Sequence, residues 1–500
     1  MRAIHVFPTR LFLLAALALP AAPGHAASPA ALSDIALLDR ITWGATESAA
    51  AGLHAMGRER WLAWQLHPTG ADRLPAAAQA EIDGLAISQQ PMATLVAEAI
   101  ARERAAQAIT DPAEKQLARQ ANQQAMAALA RQAASRQILR DLYSPAQLRE
   151  VMTWFWFNHF NVHQYKANIR AMVGDYEDRA IRPHALGRFR DLLAASLRHP
   201  AMLRYLDNAA NAAGHINENY AREVMELHTM GVGSGYTQHD VEELARCLTG
   251  LGIDASPEGP RLGPQRRDQL VRDGLFEFNP ARHDYGDKVF LGHAIKGSGL
   301  AETDAVVDIL ARQPATARHI ALELATFFVA DTPPPALVER MAQTFLHSDG
   351  DIAAVLLTLF HAPEFAAAGG KFKDPVRYVF SAVRLAYGDR PVVNTVPVQN
   401  WLNRMAEGLY NHATPDGYSL RSEAWNGPGQ LAVRFEIARQ IGAGPAGLFA
   451  GQAAFPQLQN ALYFADLRRT LSPATLAALD QATSPQDWNF LFLSSPEFMF

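Results

Sequence analysis

Apolar residues recur every three or four positions through most of the chain, the spacing of one face of an α-helix. Residues 92–142 show it best: alanines, leucines and isoleucines alternate with Arg, Glu and Gln. This predicts one or two long amphipathic helices, with a break at Asp111-Pro112. A further helix is expected after Ser144 as N-cap, with Pro145 in its first turn and Gln147 closing a capping box. Thr237 and Asp240 form the same kind of box ahead of QHDVEELARCLT, which stops at Gly250. Helical spacing resumes from Ala301 through AVVDILA, TARHIALELATFFVA, ALVERMAQTFL and IAAVLLTLF, with TPPP (332–335) as a stiff connector, and again in PVRYVFSAVRLAYG. Alternation of period two is confined to LFEFNPARHDYGDKVFLG (275–292). It predicts one short β-hairpin, with Phe276 and Phe278 on one arm and Val289 and Leu291 on the other. The Pro/Gly/Arg-rich stretch before it, residues 254–273, reads as a surface loop.

The fold class that follows is mainly α: a large helical domain with a small β-hairpin insertion. The first 26 residues stand apart. Arg2 and Arg10 flank an apolar LFLLAALAL run, and small residues lead to a cleavage position after Ala26, the layout of a secretory signal peptide. The mature domain is expected over residues 27–500, with residues 27–142 able to form a helical lobe of their own, in the periplasm or outside the cell. No later stretch is long and apolar enough to span a membrane; AAVLLTLFHAPEF comes nearest and is cut short by His361 and Pro363.

Composition narrows the classes of function. A hydrophobic share of 49 % with 19 % charged residues excludes disorder over most of the chain. A net charge of −5 gives no electrostatic basis for binding nucleic acid. One cysteine, Cys247, on the apolar stripe of its predicted helix, excludes an intrachain disulfide and any Cys-rich zinc or iron–sulfur module.

Candidate chemistry therefore falls to His, Glu, Asp and Arg. His159 and His163 in WFNHFNVH are four residues apart, which on a helix sets both imidazoles on one face and lets them share a metal ion. A pair of hydrogen-bonded core histidines is the alternative. In NENYAREVMELHTMGV a helix expected over residues 219–230, stopped by Gly231, places Arg222, Glu223 and Glu226 on one polar face and His228 among apolar neighbours. That face is either solvated or turned to a cleft, where the glutamates serve as base or ligand and Arg222 holds an anion. His283 and Asp284 sit at the mouth of the predicted hairpin, as a loop-borne base or ligand or as a turn-stabilising pair. The glycines of GVGSG (231–235) follow a helix instead of a strand, so they read as a turn and not as a phosphate loop.

Several blocks occur together and in order: RITWGAT at 40–46, MTWFWFNHFNV at 152–162, NENYAREVMELHTMGV at 217–232, HDYGDKVFLG at 283–292 and KDPVRYVFSAVR at 373–384. In these the chain resembles the bacterial domain-of-unknown-function 1800 family over nearly all of its mature length. The block AEGLYNHATPDGYSL departs from that family's pattern and carries nothing over. The resemblance implies an exported, mainly helical protein of unestablished activity, encoded near sulfatase-like proteins of the domain-of-unknown-function 1501 family, one of which is the implied partner. Its polar motif positions fall on Asn158, His159, Asn219, Arg222, Glu223, Glu226, His228, His283, Asp284 and Lys288.

Two functions are expected. One is an exported metal-dependent enzyme, a hydrolase or oxidoreductase, with His159, His163 and His228 as ligands to zinc or copper and Arg222, Glu223, Glu226, His283 and Asp284 around the reaction. The other is a non-catalytic envelope protein that binds through its aromatic C-terminal loops, around Trp401, Tyr410, Tyr418 and Trp425.

Overall fold

The computed structural model describes residues 33–500 except 71, 257, 450–454, 462–463, 465–467 and 469–470; the expected signal segment lies outside the described residues. Helix dominates, at 61 %, and strand is limited to two small antiparallel sheets.

The first described helix, Asp34–Ile41 (α1), runs into the RITWGAT block. The break expected at Asp111-Pro112 separates Met92–Ala108 from the 32-residue helix Pro112–Tyr143 (α2). Asp111 caps the latter by accepting from Glu114 N at 2.8 Å, and Pro112 occupies its first turn. Next comes Gln147–His159 (α3), in which nearly every side chain is buried, as in a helix surrounded on all sides. Its start differs from expectation. Ser144 ends α2 instead of capping α3, and the Gln147 amide donates back to the Asp141 and Ser144 carbonyls at 2.9 Å. The two prolyl-spaced helices are thus joined by a side chain that the capping-box pattern assigned to a different task.

Asn219–Glu226 (α4) leads through the glycine turns to Gln238–Cys247 (α5). The Thr237–Asp240 box forms with both of its bonds, Thr237 N to Asp240 Oδ2 at 2.8 Å and Asp240 N to Thr237 Oγ1 at 3.2 Å. Ala301–Ala311 (α6), Pro314–Phe328 (α7) and Pro375–Tyr387 (α8) follow where the periodicity puts them. Most buried apolar side chains from Ile35 to Met499 join in one contiguous core, and Ala78, Ile82 and Leu139 form a small second cluster.

The strands are rearranged relative to the single predicted hairpin. Phe276–Phe278 (β3) is the centre of a three-stranded sheet, between Leu251–Ile253 (β1) and Val271–Asp273 (β2), with Leu251 and Val271 both opposite Phe278. Lys288–Phe290 (β4) pairs with His293–Ile295 (β5). The turn between these last two is Leu291-Gly292, both at positive φ (48° and 80°), a two-residue hairpin geometry. A leucine in a position that favours Asn or Gly hid this turn from sequence patterning.

The RITWGAT block is pinned between α2, α3 and α8. Trp43 Nε1 donates to buried Asp141 at 2.9 Å, Trp43 N donates to Gln147 Oε1 at 3.2 Å, and Arg384 Nε donates to the Gly44 carbonyl at 3.0 Å. Gly44 is required here. Its φ is +109°, and a Cβ would lie 2.8 Å from the Ser381 Cβ. Gly44→Ala is expected to cost about 2–4 kcal/mol, read as a lower denaturant midpoint at unchanged m-value, because α8 cannot approach the block.

Candidate metal centre

The helix α3 ends at His159, so His163 falls beyond it in an irregular turn, and the one-face pairing expected from their spacing does not form. His163 instead packs edge-on against Tyr165, its basicity lowered by partial burial. The partners of His159 come from α7. Among the described residues one group of three or more His, Cys, Asp or Glu donors lies close enough to hold an ion: His159, His319 and Glu323, whose ligand atoms are all within 4.8 Å of one another. His319 and Glu323 are four apart on α7 and share its face.

Helix α4 fixes the imidazoles. It ends at Glu226, earlier than the expected 230, and Gly231 at φ +87° returns its N–H to the Met225 carbonyl. That geometry leaves the Leu227 and His228 carbonyls without helical partners. His159 Nε2 donates to the His228 carbonyl at 3.1 Å, and His319 Nε2 lies 3.2 Å from that of Leu227. Gly231 is needed a second time, because a Cβ there would sit 3.2 Å from His319 Nδ1.

With Nε2–H committed to a carbonyl, His159 points Nδ1 at Glu323 Oε2, 2.6 Å away. Glu323 Oε1 is 3.7 Å from His319 Nε2. Burial opposes ionisation of Glu323, but the facing His159 and His319 outweigh it and hold the carboxyl below its ordinary value. His159 is sealed, whereas His319 and Glu323 each keep about a quarter of the side chain exposed (22 % and 26 %). Water therefore reaches the cluster from one side.

The His228 ring is near but separate, 6.1 Å from that of His159 between centroids. Its Nε2 is buried without a hydrogen-bond partner, and burial beside His159 and His319 drives its basicity far down, so the ring is neutral. His228 thus meets His159 through its main-chain carbonyl, and the three-donor group does not include its ring.

The other sequence-predicted residues fall in two places. On α4, Arg222 bridges Glu218 at 3.1 Å and Glu226 at 3.6 Å, and Glu226 accepts from the Tyr236 hydroxyl at 2.8 Å. Glu223 is half-buried, and burial together with the charges of Glu226 and Asp416 raises its carboxyl. Asn219 and Asn158 are held to main chain, Asn219 by the Leu206 carbonyl and Asn158 by a two-way bond with Tyr418. His283 and Lys288 lie in a closed ionic core. Glu302 of α6 accepts from His283 Nε2 at 2.9 Å, Lys288 Nζ at 2.6 Å and the Ser298 and Gly299 amides, and the His283, Lys288 and Glu302 side chains are fully buried. Asp284, at its edge, is locked by Arg246 at 2.8 Å. Cys247 is buried, and burial lifts its thiol to about 12, which leaves it unreactive.

The family described as "Protein of unknown function (DUF1800)" matches residues 36–500, nearly the whole chain. The chain belongs to the DUF1800 family. No curated protein and no solved structure matches it. Two DUF1800-like blocks thus serve different ends in this chain. MTWFWFNHFNV delivers His159 to the open cluster, and HDYGDKVFLG delivers His283 and Lys288 to the sealed one.

His319 and Glu323 were not singled out in the sequence, where HIALE reads as one more apolar helix face. The available signal was an imidazole and a carboxylate at i and i+4 on that face. The sealed core gives a sharp stability test. Glu302→Gln strands the buried Lys288 ammonium and is expected to destabilise the fold by about 3–5 kcal/mol in denaturant titration. The wild-type Glu302 carboxyl is held below its ordinary value: burial opposes this, but His283 and Lys288 prevail. Its stabilisation is therefore present above the unfolded-state value and is lost as pH falls through the folded one, so the difference between the two proteins should narrow in acid.

Proposed function

We propose that this DUF1800 protein is an exported, metal-dependent enzyme whose mononuclear centre is held by His159, His319 and Glu323. The observation that carries this reading is the direction of His159: Nε2–H is committed to the His228 carbonyl, so Nδ1 faces Glu323 and His319 across the cluster. A ligating imidazole anchored through its other nitrogen to a main-chain carbonyl is the common arrangement at metal sites. Two imidazoles and one carboxylate with a water-accessible side suit catalytic zinc, which leaves one position for water. Bound there, zinc would supply a hydroxide at neutral pH for hydrolysis.

The chain's own groups have separable tasks in this reading. His159 and Glu323 share a proton that a metal displaces, so uptake releases it. Glu323, partly open to solvent as His319 is, closes the ligand set. Glu223 lies on the polar face of α4 beside Glu226, Arg222 and Asp416, and it is carried forward from the sequence as a proton-transfer candidate. Arg222 and Glu226 hold one another and shape the same polar face. Export, suggested by the N-terminal segment, and a domain-of-unknown-function 1501 partner, implied by family resemblance, give the proposed setting. No helix among the described residues is long and apolar enough to cross a membrane.

The 2.6 Å contact supports a second reading, in which a proton stays between His159 and Glu323 and the cluster is an ion pair capping the end of α4. Metal analysis of purified protein separates the two. The enzyme reading expects about one zinc per chain, release of about one proton per zinc in titration calorimetry, and at least tenfold weaker zinc binding in Glu323→Gln with its helical circular dichroism retained. Zinc well below stoichiometric after reconstitution, or equal affinity in the variant, supports the ion pair and overturns the metal centre.

A further inference from the structure

Away from this centre, a cavity of about 670 Å³ opens where α1, the end of α7, the start of α8 and the C-terminus meet. Its size is that of a small-ligand site. Aromatic rings form much of the wall. Phe327, Phe328, Phe372 and Trp425 are buried, and Phe500, 53 % exposed, packs edge-on against Phe372 with 5.5 Å between centroids. Trp425 spends its one donor on the Ser419 carbonyl at 2.9 Å, so its ring serves the wall as apolar surface.

The wall also carries charge, and each charged group already has partners within the protein. Lys371 lies 3.4 Å from Asp331 and donates to the Thr326 and Leu420 carbonyls. Arg40 Nη1 donates to the Phe365 carbonyl at 2.5 Å, and its Nη2 to that of Phe328 at 3.3 Å. Arg377 Nη1 donates to the Asp39, Arg40 and Thr42 carbonyls at 3.2 Å, and Lys373 Nζ to the Phe498 carbonyl at 2.6 Å. Burial lowers the basicity of Lys373 and Arg377. The negative charge of Asp39 opposes this at Lys373, and those of Asp374 and Asp39 oppose it at Arg377.

The acids of the wall are engaged as well. Asp39 accepts from Ala45 N at 3.0 Å, Asp374 caps α8 through Arg377 N at 2.6 Å, and Glu497 holds Ser472 N and Thr475 Oγ1 at 2.8 Å each. Arg40, Lys371, Lys373 and Arg377 are thus matched in number by the side-chain carboxylates of Asp39, Asp331, Asp374 and Glu497. A charged ligand entering here gives up its hydration and finds its counter-charges already committed. An apolar ligand gains by covering the rings.

We infer that the cavity binds an uncharged, predominantly apolar small molecule, its body against Phe327, Phe372 and Phe500. The wall offers such a ligand contact area, and its internally paired charges select against an anion or a cation of the same shape. This inference is independent of the metal centre, since none of His159, His319 and Glu323 lines the cavity.

Fluorescence titration of the full chain tests it, with N-phenyl-1-naphthylamine as the uncharged probe and its sulfonated relative 1-anilinonaphthalene-8-sulfonate as the charged control. Saturable one-to-one binding of the uncharged probe is expected, about tenfold or more tighter than that of the sulfonate, which must be desolvated without a free counter-charge. Ala36, on α1, and Ala368 both line the cavity. Ala36→Trp and Ala368→Trp each place an indole in that space, and a loss of about tenfold or more in affinity for the uncharged probe, with helical circular dichroism retained, is expected. Such a loss in either folded variant supports the inference; should neither fold, the two probes on the unsubstituted protein decide it. Absence of saturable binding of the uncharged probe up to its solubility limit, a sulfonate that binds as tightly, or an unchanged Kd in both folded variants overturns the inference.

Discussion

A helix that ends inside a protein must find donors for its last carbonyls, and in this chain that requirement organises the functional centre. When α4 stops at Glu226, the Leu227 and His228 carbonyls face α3 and α7. His159 and His319 meet them, and by doing so both imidazoles are drawn to the same carboxylate, Glu323. Three helices from sequence positions far apart are thereby tied at one point. Removing the Gly231 turn would fill the space into which His319 enters, so the end of α4 and the geometry of the cluster are one feature.

The chain contains two His–Glu pairings with opposite character. At His283 the glutamate side chain is fully buried and enclosed by a buried lysine, a buried imidazole and two amides. That set has its hydrogen bonds filled and acts on stability. At His159 the glutamate has one short partner and a side open to solvent. The same residue types therefore give a sealed structural core in one place and a reactive candidate in the other, and the difference lies in how many donors surround the carboxylate and whether water reaches it.

Sequence periodicity was sufficient for most helices because their apolar faces are long and regular; the break at Asp111-Pro112 and the Thr237–Asp240 box were legible from caps alone. The strands were less so. Each is three residues long, too short for alternation to show its partner, and Phe276–Phe278 pairs with Leu251–Ile253 across a long loop. At the site, His159 was legible from its motif, but the reason it pairs with α7 was not. His163 has the right spacing on paper, yet the helix ends four residues too soon for that spacing to matter. His319 and Glu323 lie about 160 residues downstream in a helix whose pattern resembles ordinary core packing. Only tertiary contact separates them from an apolar stripe.

The most direct measurement on the central claim is X-ray absorption at the zinc edge of reconstituted protein. The account predicts a low-coordinate shell of nitrogen and oxygen at about 2.0–2.1 Å with the outer-shell scattering of two imidazoles. A shell of oxygen atoms alone, without imidazole scattering, would contradict it.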